Sequence, residues 1–206
     1  MSYDSVADGE LAAVVTFLEM RAAPGDSPVG DSPLMLKPID PSPADYRALF
    51  RLVGARWLWF SRLVMDDDAL AAIIADPAVE IYAIVDKAGD DSGLLELDFR
   101  ESGACELAFI GLVPDLAGRG HGRWLLAEAI ARAWRPGVAR VHVHTCSLDH
   151  PAALAAYRRA GFTAVGRAIE RFADPRLLGI LPLDCAPQVP LVGTPAAGSP
   201  AAASCV

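Results

Sequence analysis

The sequence predicts an α/β fold with six or seven strands and helices packed around them. Two observations carry this expectation. Strand-like and helix-like stretches alternate from about residue 10 to residue 183, and a glycine-rich loop joins a strand to a helix at residues 113–124. The composition allows it. Of 206 residues, 53% are hydrophobic and 21% charged, enough to bury a core without disulfides or metals.

The elements follow in order. Residues 1–9 are polar and read as a flexible N-terminus. Leu11–Glu19 reads as a first strand. Ala23–Pro43 holds eight Gly or Pro breakers and reads as a loop, interrupted by a short strand at Leu34–Ile39. Ala44–Val53 reads as a helix, because Tyr46, Leu49, Phe50 and Val53 fall on one face. Arg56–Val64 is unusually aromatic. A second helix covers Asp68–Ala75 and stops at Asp76-Pro77. Strands follow at Val79–Asp86, Leu94–Arg100 and Cys105–Val113, separated by turns at 89–93 and 101–103. The last of these is apolar on both faces after Glu106, as in a central strand. Gly118–Trp134 is a helix, Arg140–Cys146 a strand and His150–Ala160 a helix with Pro151 in its first turn and Gly161 at its end. Phe162–Phe172 is the final strand. Residues 184–206 are expected to form a flexible tail, since Val192–Val206 is mostly Ala, Ser, Gly and Pro.

Charge and cysteines exclude some classes. The net charge of −8 opposes bulk attraction to nucleic acid or anionic membrane and favours a cationic substrate. Cys105, Cys146, Cys185 and Cys205 form no C-x-x-C pair and read as free thiols. The apolar run Leu11–Leu18 follows acidic residues, unlike a signal peptide, and no apolar run is long enough to span a bilayer. The cytoplasm is the default location.

The strongest local signal is the run Pro114–Arg123. Gly118, Gly120 and Gly122 alternate just before a helix, with Arg119, His121 and Arg123 between and after them. Such a loop points free amides and the positive end of the helix at one spot, which suits a phosphate-bearing ligand. It is neither a P-loop nor a dinucleotide fingerprint. A glycine-rich turn with no ligand is the blander alternative.

A second segment, Arg140–Phe162 (RVHVHTCSLDHPAALAAYRRAGF), adds to it. Together the two resemble the GNAT superfamily of acyl-CoA-dependent N-acetyltransferases. That family carries (Gln/Arg)-x-x-Gly-x-(Gly/Ala) after a strand, and later Asn-x-x-Ala-x-x-x-Tyr-x-x-x-Gly-Phe. Here Gly120 and Gly122, then Ala153, Tyr157 and Gly161-Phe162, stand in that order and spacing. The close resemblance covers about 94–172. Two positions depart from it: Ala117 stands at the Gln/Arg position and His150 at the Asn position.

The resemblance implies a GNAT-like mixed, mainly antiparallel sheet of six or seven strands, flanked by helices on both faces, over residues 10–183. It implies acetyl-CoA as co-substrate, no metal, and acetyl transfer to a primary amine by direct attack in a ternary complex. The pantetheine arm would pair with the backbone at Ile110, Gly111, Leu112 and Val113. The pyrophosphate would rest on Gly118, Arg119, Gly120, His121, Gly122 and Arg123, and His150 would stand in for the family's Asn. Tyr157 matches the general acid, and Glu106 resembles the general base of the histone-acetyltransferase branch. An alkyl ammonium is only about 0.1% neutral at pH 7 or slightly above, so a base helps. Apolar surroundings are expected to raise the pKa of Glu106 toward working pH.

Other candidates remain open. His142 and His144 alternate on one strand face with Cys146, which suggests a zinc site or a Cys–His pair, or ordinary strand residues. No acidic residue stands at the spacing expected to orient His144, although Asp149 is near. Glu96 and Asp98 share a strand face and either attract an ammonium or sit in solvent. Trp57, Trp59 and Phe60 form either an acceptor wall or core. The rival functions are transfer from another acyl donor, and a CoA-binding sensor or partner module without turnover. The Pro-rich loop and the C-terminal tail are candidates for a homodimer contact.

Overall fold

The computed structural model describes residues 2–25, 30–116 and 118–195. Seven strands form one sheet: β1 (Glu10–Met20), β2 (Met35–Pro38), β3 (Val79–Val85), β4 (Asp91–Asp98), β5 (Ala104–Leu112), β6 (Arg140–Cys146) and β7 (Thr163–Ala173). Their spatial order is β2-β3-β4-β5-β6-β1-β7. Every neighbouring pair is antiparallel except β5 and β6. Among the described residues, four α-helices complete the fold: α1 (Pro43–Gly54), α2 (Asp67–Ile74), α3 (His121–Ala133) and α4 (Ala153–Arg159).

The helices cover both faces. Tyr46, Leu49, Phe50 and Val53 of α1 and Leu70 and Ile74 of α2 pack on Ile81, Ala83 and Leu94. On the opposite face, Leu125, Ala129 and Ile130 of α3 and Tyr157 of α4 pack on Leu95, Leu107, Val141 and Val143. Local chemistry fixes the ends of α1 and α2. Ser42 Oγ accepts from the Asp45 amide at 3.2 Å and Asp66 Oδ1 from the Ala69 amide at 2.7 Å. Helix α3 begins three residues later than its sequence suggests. Gly118 and Gly120 take φ of +76° and +87°, which a helix interior does not allow.

Two irregularities shape the sheet. Glu96 pairs with Phe109 and Leu97 with Leu107, so Ala108 is an extra residue that bulges β5. Strand β5 then pairs with β6 only at Ala104, Cys105 and Glu106. From Leu107 to Leu112 its ladder partner among the described residues is β4 alone, and the sheet opens between β5 and β6.

The C-terminal segment is tied down as far as it is described. Arg176, 2% exposed, pairs with Asp174 at 2.7 Å and donates to the carbonyls of Ala186 at 3.2 Å and Val189 at 2.8 Å. The Gly9 amide donates to Val192 O at 2.9 Å. The start of the segment expected as a tail is therefore packed, because a buried guanidinium draws its carbonyls inward. Residues 196–206, including Cys205, lie outside the described residues. No helix among the described residues is long and apolar enough to cross a membrane.

Candidate active site

The opening between β5 and β6 continues into a cleft of about 1500 Å³, larger than a pocket for one small ligand. Ile110, Gly111, Leu112 and Val113 line it, as do Gly118, Gly120, Gly122 and Arg123 at the start of α3. Gly120 is the N-cap of α3 and supplies no capping side chain. A Cβ built on Gly118, Gly120 or Gly122 would meet nothing within 4 Å. The glycines thus leave an open approach to the helix end and supply the backbone turn, a fit for an anionic group. Arg119 and His121 do not line the cleft, and His121 Nδ1 lies 3.4 Å from Ser32 Oγ instead. Ala117 lies outside the described residues.

Glu106 stands where β5 and β6 are still paired, directly across from His142. Its Oε1 lies 3.2 Å from Nδ1 of His144, two residues further along β6. The expected rise in the Glu106 pKa does not occur. Its carboxyl is held below the ordinary range by the hydrogen bond from His144, against the effect of burial, with His142 adding to the lowering. The shift on His144 is upward, from Glu106 first and then the Asp149 and Glu170 carboxylates, against burial. Sequence reasoning found no orienting acid for His144 because it searched along one strand. The partner comes from the neighbouring strand, and a parallel alignment of Ala104–Glu106 with Arg140–His142 would have revealed it.

Tyr157 lines the cleft from the other face of the sheet, edge-on to Phe162 at 5.9 Å. Burial, with the Asp149 carboxylate adding to it, pushes its phenol well above the ordinary value. His150 helps start α4: its Nδ1 accepts from the Ala152 amide at 3.1 Å, and its ring meets Trp57 at 5.1 Å. Asp149 accepts from Thr145 Oγ1 at 2.7 Å, the Cys146 amide at 2.8 Å and Trp59 Nε1 at 3.3 Å. It thereby pins the aromatic segment to the end of β6.

Trp57, Trp59 and Phe60 all line the cleft. They also pack, Trp59 on Phe50 and Phe109, and Phe60 on Phe172. The two alternatives for these residues are therefore compatible. Neither alternative for Glu96 holds. It is fully buried, accepts from Tyr46 Oη, and pairs with Arg62 at 2.5 Å. Asp98 reaches the cleft but is paired with Arg100 at 2.6 Å. Arg62 and Glu170, which also line the cleft, drew no notice in the sequence, because nothing in the pattern around either one marks it. Among the described residues, no group of three or more His, Cys, Asp or Glu is placed to hold a metal. The Cys146 thiol is pushed up to about 11 by burial, which does not suit a nucleophile.

A seven-stranded mixed sheet that splays beside a glycine-lined helix start is a GNAT-like α/β fold. Residues 46–162 match the model of the acetyltransferase (GNAT) family, and the chain belongs to that family. No curated protein matches it. Among solved structures it is similar to a GCN5-related N-acetyltransferase from Sphaerobacter thermophilus, with TM-score 0.58 and 20% identity, covering 78% of this chain and 51% of that one. A GCN5-related N-acetyltransferase from Kribbella flavida gives TM-score 0.53 and 17% identity, covering 81% and 60%. An aminoglycoside acetyltransferase from an uncultured soil metagenomic sample, in complex with sisomicin, gives 0.52 and 15%, covering 67% and 93%. The chain thus spans about half to three fifths of the length of the first two.

Proposed function

We propose that this chain is an N-acetyltransferase that moves an acetyl group from acetyl-CoA to a primary amine by direct attack in a ternary complex. One observation carries the reading. A single cleft passes between β5 and β6, with the glycine-lined start of α3 on it, Glu106 on one face of the sheet and Tyr157 on the other. The pyrophosphate of acetyl-CoA would take the amides at Gly118–Arg123. Its pantetheine arm would add to the open edge of β5 at Ile110–Val113, where the backbone lacks a partner strand on the β6 side. The thioester then lies in the gap, reachable from both faces. An amine entering from the α1 side attacks the carbonyl carbon. Tyr157, kept protonated by burial, donates to the departing sulfur.

The test is thiol release from acetyl-CoA across a panel of small amines and peptide N-termini, beside Tyr157→Phe. Amine-dependent release that falls on the order of 10²-fold in the variant, with CoA binding intact, is the expected result. CoA binding without release from any amine would instead favour a sensor or another acyl donor.

A further inference from the structure

We propose that His144 is the catalytic base of this site and that Glu106 is its positioning residue. The inference rests on the acetyl-transfer reading and changes which side chain takes the proton. Three observations carry it. Glu106 Oε1 lies 3.2 Å from His144 Nδ1, so the carboxylate fixes the ring by its Nδ1 edge. The other ring nitrogen, Nε2, has no hydrogen-bond partner among the described residues. The His144 side chain is 51% exposed and lines the cleft, whereas Glu106 is 32% exposed and already engaged.

The register explains the arrangement. β5 and β6 stay paired through Glu106 and His142, then part. His144 is the next residue of β6 on that face, at the lip of the opening. Phe17 of β1 lies opposite it, with ring centroids 6.3 Å apart. The groups that act on its charge are Glu106 from β5, Asp149 from the turn after β6 and Glu170 from β7, all carboxylates. His142, its neighbour on β6, lies 3.6 Å from Glu101, and Cys146 is a protonated thiol. Nearby charge therefore strengthens the imidazole as a proton acceptor while it weakens the carboxylate that touches it.

The step balances. The amine nitrogen forms the C–N bond to the acetyl carbon and the C–S bond of the thioester breaks. The surplus N–H proton passes to Nε2 of His144, which gives it to solvent. The thiolate takes its proton from Tyr157, which regains one from water.

The experiment measures kcat/KM against pH for the wild type, His144→Gln and Glu106→Gln, with NMR titration of the His144 ring. In the wild type the acid limb should follow the His144 titration, above the ordinary imidazole value of about 6.5. Glu106→Gln should move both the limb and the ring titration to lower pH and retain part of the activity. His144→Gln should cut the rate on the order of 10²-fold near pH 7, remove the limb and regain rate as the pH approaches the pKa of the amine. Wild-type release with an unchanged limb in His144→Gln would overturn the proposal and leave the acetyl-transfer reading standing. So would a Glu106→Gln variant as inactive as the histidine variant at every pH. No thiol release by the wild type with any amine would overturn both.

Discussion

Arg62, from the segment between α1 and α2, closes on Glu96 of β4 at 2.5 Å where the carboxylate has no exposure at all. Tyr46 donates to the other carboxylate oxygen, and the guanidinium lies 5.2 Å over the Phe109 ring. The pair locks α1 and the aromatic segment onto the centre of the sheet beside the cleft. Removing one member leaves the other charged and buried. Glu96→Gln should therefore destabilise the protein by about 3–5 kcal/mol. Tyr46→Phe, which removes one hydrogen bond to a charged group, should cost about 1.5–3 kcal/mol. Urea midpoints read both, and a Glu96→Gln midpoint equal to that of the wild type would show that the pair contributes nothing.

Strands β4 and β5 approach closely at Gly93. A Cβ there would stand 2.5 Å from the Gly111 carbonyl oxygen, a backbone atom that cannot swing away. Gly93→Ala should destabilise by about 1–3 kcal/mol and displace the stretch of β5 proposed to hold pantetheine. The expected readings are a lower melting temperature and weaker CoA binding in the same variant. A fully stable Gly93→Ala protein would mean that the strands separate at little cost.

Most of the fold was legible because its signals are local. Among the described residues, each strand and helix of the fold overlaps a segment that alternation, three-to-four-residue periodicity and the Gly/Pro breaks mark, with the starts of β4, α3 and α4 displaced by three residues. The candidate site was legible in the cleft-lining parts built from contiguous residues: the glycine run before α3 and the α4 motif ending in Gly161-Phe162. The relationships between strands were not. The charge state of Glu106 depends on His144, and the burial of Glu96 depends on Tyr46 and Arg62. Those partners are separated by 34 to 50 residues and meet only through sheet register and helix packing. The turn expected around Gly93 is strand instead, because that glycine is needed for close approach of β5 rather than for a bend.

The N-cap of α3 offers a cleaner test of the proposed pyrophosphate site. Gly120 has φ of +87° and open space around it, so a side chain there is opposed by backbone conformation rather than by a clash. Gly120→Val should disturb the turn and weaken CoA binding at least tenfold, with a smaller loss of melting temperature. Unchanged CoA affinity by calorimetry would count against the loop as the anion site.

The thiols should be slow to react. Burial pushes Cys105 up to about 12 and Cys146 up to about 11, against an ordinary value near 8.5. At pH 7.5 the thiolate fraction of Cys146 is then roughly 10²-fold below that of a free cysteine. Iodoacetamide labelling followed by peptide mass spectrometry should find both sites largely unmodified while the protein is folded. Rapid alkylation of Cys146 would revive a Cys–His pair as a nucleophile.

Tyr157 gives a pH prediction of the opposite sense to that of His144. In the proposed step the protonated phenol is the form that would donate to the leaving sulfur, and burial holds its pKa above the ordinary value of about 10. The donor is therefore present throughout pH 7–10, and kcat should show no alkaline limb from this residue in that range. The linkage to stability has the same direction. Above about pH 10 an unfolded tyrosine loses its proton while the folded one keeps it, so folding weakens as pH rises through that region. Both follow from one titration series: kcat from pH 7 to 10 for the wild type and Tyr157→Phe, with melting temperatures extended to pH 11. An alkaline limb below pH 9 that vanishes in Tyr157→Phe would mean that the phenol ionises far more readily than its burial allows, whereas a rate that rises with pH through a step lost in Tyr157→Phe would mean that it acts as an anion rather than as the proton donor.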